Sequence, residues 1–290
     1  MLAKRMILLF FRNRTQVFFS MFAVLIIIGL YVLFLSNSME MMLQTILGLP
    51  EGTNTGATMS SLVLGGIIAV TSVTSSMSAL GRCVADREDA TKDFFTSPVP
   101  RWKITIGYIL GAAQIGAIMT FVALIGALLY INLNGNVSFG FQDYARLILT
   151  VFLSTLAANA MAFIVVVTAK NIHAYSALTS VIGTLIGFLM GIYIPIGQLP
   201  ETVQWVVRLF PLSHAASMFR QTLANSQLNY LFSGVPIEYL EEFRLFFGVT
   251  FNYGEFYSNF WFSALVLLLT IIVFYGIGLI LITRRKVFMN

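Results

Sequence analysis

The run Ser61-Leu-Val-Leu-Gly-Gly-Ile-Ile-Ala-Val-Thr-Ser-Val-Thr-Ser-Ser-Met-Ser-Ala-Leu80 contains no Asp, Glu, Lys or Arg. A hydrocarbon core of about 30 Å is crossed by roughly 20 apolar residues in a helix. Helix is required, because backbone groups facing lipid have no water to bond. Outward from this run, five more stretches meet the same condition: Val17–Leu35, Ile104–Ile131, Leu147–Thr168, Ile172–Ile194 and Asn259–Ile282. The stretch from Ile104 is long enough to predict tilt or a protruding end. Composition agrees. Of 290 residues, 58% are hydrophobic and 10% charged, and the mean hydropathy is +0.87, whereas a soluble domain carries about 25% charged residues. The expectation is an all-α integral membrane protein with six transmembrane helices, forming a single transmembrane domain over 1–290.

The charges predict orientation. Lys4, Arg5, Arg12 and Arg14 precede the first stretch. Arg82, Arg87, Lys92, Arg101 and Lys103 lie between the second and third. Lys170 follows the fourth, and Arg284, Arg285 and Lys286 follow the sixth. Only Arg146, Arg208, Arg220 and Arg244 fall on the other side. The excess of Lys and Arg marks the cytoplasmic side, so both termini are expected in the cytoplasm of a protein of the plasma membrane. The net charge of +5 is thereby assigned to orientation rather than to nucleic acid. The first apolar run is too long for a signal peptide, and no small-x-small site follows at Ser36–Glu40, so it reads as a retained anchor.

Three segments are neither spans nor simple turns. Residues 1–16 combine basic residues with the short apolar run Met6–Phe11, which suits a helix lying in the interface or a positive flank on the first span. The loop 81–103 places Asp86, Glu88 and Asp89 where the first turn of a short helix would be, and Pro98 would stop that helix. Phe94 and Phe95 form an apolar pair that either docks into a partner's groove or folds back onto this chain. The loop 195–258 is long. Leu199–Leu212 and Ser213–Leu228 have near-helical spacing, with Pro200 and Pro211 where helices begin, and predict two short helices on or in the outer leaflet. The remainder, through Glu238, Glu241, Glu242 and Glu255, is expected as a cap in water.

The spans limit the chemistry. No span carries the intramembrane carboxylate or histidine relay of an ion-coupled carrier, or the paired titratable groups of a membrane enzyme. The single cysteine, Cys83, allows no intrachain disulfide, and no Cys/His cluster has metal-ligand spacing. The five lysines are followed by Arg5, Asp93, Ile104, Asn171 and Val287, so no P-loop exists, and no cofactor is expected on this chain. Thr71, Ser72, Thr74, Ser75, Ser76 and Ser78 crowd one stretch. They serve helix packing or, for Thr71, Ser72 and Ser75, a substrate path. Gln114 and Asn159 suit interhelical bonds or cavity lining. Gly183, Gly187 and Gly191 recur every fourth residue and predict a close helix contact.

Two segments together resemble the ABC-2 type permease family of ATP-binding-cassette exporters. One is Asp86-Arg-Glu88 with Lys92-Asp-Phe-Phe-Thr-Ser-Pro-Val-Pro-Arg-Trp-Lys-Ile-Thr-Ile-Gly-Tyr108. The other is Gly191-Ile-Tyr-Ile-Pro195, Leu199-Pro200, Gln204, Phe210-Pro-Leu212 and Arg220. The resemblance implies that 81–103 holds a coupling helix, with Arg87, Glu88, Thr91, Asp93, Phe94, Phe95, Pro98 and Arg101 facing a separate ATPase subunit that binds ATP and Mg. It implies a second permease copy, in a homodimer or heterodimer, and an outer-loop re-entrant motif at Pro195, Pro200, Pro211 and Arg220. This chain has Ala90-Thr91-Lys92-Asp93 where many members carry Gly-Thr-Leu-Glu, and its outer loop is extended around Asn229–Glu255. The function implied is export of a hydrophobic or amphipathic substrate such as a drug, peptide or lipid-like toxin; a polysaccharide or lipid-linked glycan is the alternative within the family. A membrane sensor or immunity protein binding a ligand through its outer loop is the alternative from another class.

Overall fold

A computed structural model describes residues 2–30, 41, 55–88, 101–135 and 139–285. Its helices are α1 (Leu2–Arg12), α2 (Arg14–Leu30), α3 (Gly56–Glu88), α4 (Arg101–Gly135), α5 (Phe141–Thr168), α6 (Ile172–Leu189), α7 (Glu201–Leu209), α8 (Pro211–Leu223), α9 (Asn225–Leu231), α10 (Ile237–Phe246) and α11 (Phe260–Arg285). Among the described residues there is no β-strand, only an isolated bridge between Asn252 and Tyr257. Among the described residues, five helices, α3, α4, α5, α6 and α11, are long and apolar enough to cross a membrane. The first expected span is helical through Leu30, and the rest of 17–35 lies outside the described residues. The chain is an all-α multi-pass membrane protein.

The stretch Ser61–Leu80 lies within α3, the centre of the bundle, which packs on α2, α4, α5, α6 and α8. In lipid there is no hydrophobic drive between apolar helices, so packing depends on close approach. Small residues permit it here. A Cβ on Gly65 would stand 2.9 Å from Arg220 Cγ, and one on Gly66 would meet Ile192 Cγ1 at 2.8 Å. The hydroxyls of Thr71, Ser72 and Ser75 are fully buried and donate to the carbonyls of Ile67, Ala69 and Thr71 at 2.9, 2.7 and 2.5 Å. Bonded back to their own helix, they can be buried at little cost.

The other expectations change in detail. The N-terminal helix α1 is separate from α2, broken at Asn13, whose Oδ1 accepts from Gln16 N at 3.1 Å. Its Met6 and Phe10 are buried. No new short helix starts at Asp86. Instead α3 continues through Glu88, so Asp86 and Glu88 occupy its last turn. The glycine series is not one stripe, because α6 ends at Leu189. Gly191 sits in a left-handed turn (φ +60°), Gly187 makes room for the ring of Tyr193, and Gly183 has nothing within 4 Å of a Cβ position. In the long loop, the predicted pair of helices is three, with a break at Ala224. The acidic remainder is more than a solvated cap. Glu238, Glu241, Glu242 and Glu255 are exposed, yet α10 buries Phe243, whose ring packs 5.3 Å from Phe232 and 4.6 Å from Phe247.

The short helix α8 begins with Pro211 at its first turn and is buried over nearly its whole length. At 1.5 Å per residue its 13 residues reach about 20 Å, too short to cross. It enters the bundle between α3, α5 and α11, at the end opposite α1, and carries Arg220 with it. Arg220 is fully buried. Its Nε donates to Leu62 O at 2.8 Å, one terminal nitrogen to Met190 O at 2.6 Å and Gly191 O at 3.0 Å, and the other to Gly248 O at 3.4 Å. A guanidinium in an apolar bundle must have its donors satisfied, and these carbonyls come from three separate segments. Arg220→Met should therefore lower stability by about 3 kcal/mol through the carbonyls left unsatisfied, read as a lower melting temperature in detergent. Arg220→Lys should recover only part, because a point charge cannot span the same acceptors.

Candidate functional site

At the end of the bundle that carries α1, three adjacent residues in the last turn of α3 each grip a different element. Asp86, with a side chain only 1% exposed, pairs with Arg5 of α1 at 3.1 Å and accepts from the Tyr108 hydroxyl of α4 at 2.8 Å. Arg82 lies 2.9 Å away, one turn back on α3. Helix C-termini disfavour carboxylates, and the two guanidiniums and the phenol offset that cost. Arg87 donates to Val166 O at 2.9 Å and to Ala169 O at 3.4 Å, where α5 ends. Glu88 Oε1 accepts from Ile172 N at 2.7 Å, where α6 begins. A cation at one helix C-terminus and an anion at the next N-terminus match both dipoles. The end of α3 is thus clamped to α1, α4, α5 and α6 before the chain enters 89–100.

Of the residues expected to face an ATPase, Arg87 and Glu88 are in this clamp. Thr91, Asp93, Phe94, Phe95 and Pro98 lie outside the described residues. Arg101 opens α4. Asp86, the centre of the clamp, was not singled out in sequence as a contact residue. Its signal is an acid four positions after Arg82, one helical turn along the same face.

Beside the clamp, a groove of about 620 Å³ runs between α2, α3 and α6, within the usual size of small-molecule sites. Gln16 and Ser20 of α2, Thr74 and Ser78 of α3, and Ser176 and Thr179 of α6 give it a hydroxyl- and amide-rich lining over apolar walls that include Phe19, Met77 and Ile186. Tyr175 fastens α6 to α3 by donating to Met77 O at 2.6 Å. Gln16 donates to Ser78 O at 3.3 Å.

The residues expected to line a substrate path do not border this groove. Thr71, Ser72 and Ser75 are buried in the packed interior and do not line the groove, whereas Thr74 and Ser78 do. The crowded hydroxyls cover more than one helical face at 3.6 residues per turn, and the side that meets α2 and α6 is the one carrying 74 and 78. Asn159 is fully buried and joins two helices to its own: it accepts from the Tyr275 hydroxyl at 2.9 Å and donates to Ile109 O at 3.4 Å. Gln114 is exposed on α4 and is not in the groove lining. In the outer motif, Pro195 leads into a 3-10 turn (Ile196–Gln198), Pro200 precedes α7, and Pro211 opens α8. No group of three or more His, Cys, Asp or Glu residues among those described could hold a metal.

The spans, the buried short helix and the clamped end of α3 define a multi-pass α-helical membrane domain. A family model described as ABC-2 type transporter matches residues 1–224. The chain therefore belongs to the ABC-2 type transporter family. The match ends just after α8, so α9, α10 and α11 lie beyond it. Searches of curated proteins and of solved structures gave no match. Membership makes the chain the permease component of an ABC-type transporter, a family that in general works with a partner ATPase.

Asp86→Ala should leave Arg5 and Arg82 facing each other without their shared carboxylate. Trypsin should then cut in α1 roughly tenfold faster, the loss of one charge-assisted contact, while Asp86→Glu should remain near the wild-type rate.

Proposed function

We propose that this chain is the permease half of an ATP-driven exporter moving an amphipathic substrate away from the side that holds both termini. The observation that carries this reading is the continuity of α3. One helix forms a wall of the groove at Thr74 and Ser78, and its last turn holds the clamp that leads directly into 89–100. A push on 89–100 by a closing ATPase pair would move α3 against α6 and reshape the groove. The distribution of Lys and Arg supports a cytoplasmic location for that segment. The groove lies between α2 and α6, and a second permease copy facing it would enclose the substrate. Its mixed lining, with Arg82 at one end, suits a molecule with an apolar body and a polar head, such as a drug, a peptide or a lipid-like toxin.

Two experiments test this, both with the permease co-expressed with its ATPase and reconstituted in vesicles. Phe94→Ala with Phe95→Ala should leave membrane insertion intact while reducing ATP-dependent transport of a fluorescent amphiphile at least tenfold, an uncoupling of about 1.4 kcal/mol or more. Unchanged transport together with unchanged stimulation of ATP hydrolysis would sink the assignment of 81–103. Ser78→Phe should fill the groove. It is expected to lower transport while the ATPase still co-purifies, whereas the same change at the exposed Gln114 should have little effect.

A further inference from the structure

At the end opposite both termini lies a second, smaller cavity of about 270 Å³ with a different chemistry. Two arginines line it. Arg146 sits at the start of α5, with its guanidinium 5.5 Å from the centre of the Phe260 ring. Arg244 comes from α10, and one terminal nitrogen donates to Asn225 Oδ1 at 3.0 Å and Asn229 Oδ1 at 3.2 Å. Both of those acceptors are neutral amides. The Nε of Arg244 is buried and has no hydrogen-bond partner among the described residues. The lining includes one carboxylate, Glu241, which forms no ion pair with either arginine among the described residues. Asp143, one turn before Arg146, accepts from Gly140 N at 2.9 Å and caps its own helix. Thr222 and Asn259 add polar groups to the wall. Half-burial pulls the pKa of Arg244 down, with Glu241 opposing, so the pocket holds charge at a desolvation cost that an anion would offset.

Depth identifies the anion. Arg146 directly precedes the apolar stretch Leu147–Thr168, and Asn259 opens Asn259–Ile282. The exposed rings of Tyr144, Tyr257 and Trp261 surround this level, as aromatic belts do at the interface. Headgroup phosphates are expected at the level of such belts. We infer that Arg146 and Arg244 form a binding site for a phosphate oxyanion, supplied by the headgroup of an anionic lipid in the leaflet opposite the termini. Guanidinium forks suit such oxygens. The site does not depend on the export reading and would exist in a protein that transports nothing.

The test uses the full chain in nanodiscs of mixed phosphatidylglycerol and phosphatidylcholine, with retained lipid counted by native mass spectrometry. A parallel arm titrates inorganic phosphate against the melting temperature of the protein in detergent. Wild type should retain phosphatidylglycerol preferentially. Arg146→Gln with Arg244→Gln should weaken that retention about tenfold, as expected for the loss of charge-assisted bonds, and the double lysine variant should keep most of it. Glu241→Gln, an exposed change that does not threaten the fold, should strengthen it. Stabilisation by inorganic phosphate that the double glutamine variant abolishes, without lipid preference, supports the site with a free anion as its source. Retention and phosphate response unmoved in both the glutamine pair and Glu241→Gln would overturn the inference.

Discussion

The fold turns on one buried guanidinium. Among the described residues, no carboxylate pairs with Arg220. Its donors are spent on backbone carbonyls of Leu62, Met190, Gly191 and Gly248. A guanidinium in hydrocarbon is tolerated only where protein replaces water around it, so these segments must converge wherever α8 enters the bundle. Two of the carbonyls belong to glycines in left-handed conformation, Gly191 at φ +60° and Gly248 at φ +64°. That backbone shape turns the chain sharply enough to present the oxygens inward. The glycines at 65 and 66 complete the arrangement, since a side chain at either would strike Arg220 or Ile192.

From that anchor a single rigid element reaches the other face of the protein. Leu62 near one end of α3 holds Arg220, and Asp86, Arg87 and Glu88 at the other end hold α1, α4, α5 and α6. The groove opens along the same helix between these two attachments. On the proposed reading, a displacement at one attachment would reach the groove wall along this helix, since close-packed interiors transmit strain. This gives a family of otherwise separate features, a buried arginine, a charged clamp and a hydroxyl-lined groove, a common mechanical element.

Much of the framework was legible from local pattern. Charge-free runs of about 20 residues mark spans because the bilayer thickness is fixed, and proline marks helix starts because it lacks a donor; Pro211 opens α8 as its position predicts. Asp86 was legible only as a charge. Its spacing suggested the start of a helix, yet α3 runs through it because partners distant in sequence, Arg5 and Tyr108, stabilise it there. The glycines of α6 misled for a related reason. Their four-residue spacing fits a packing stripe, but the chain leaves the helix before Gly191, and Gly187 accommodates a ring from its own chain.

By itself the sequence determined that the chain lives in a membrane, that five of its apolar stretches are helices long enough to span one, and that two of its short helices start at Pro200 and Pro211. These follow from composition and near-neighbour sterics, which need no knowledge of distant contacts. Tertiary structure alone decided which hydroxyls of α3 face a groove and which face the core, that Arg220 joins three remote segments, and that Arg146 and Arg244 share one pocket. Each of these is a meeting of residues far apart in the chain, settled by how helices rotate about their own axes when they pack, and no local pattern specifies that rotation.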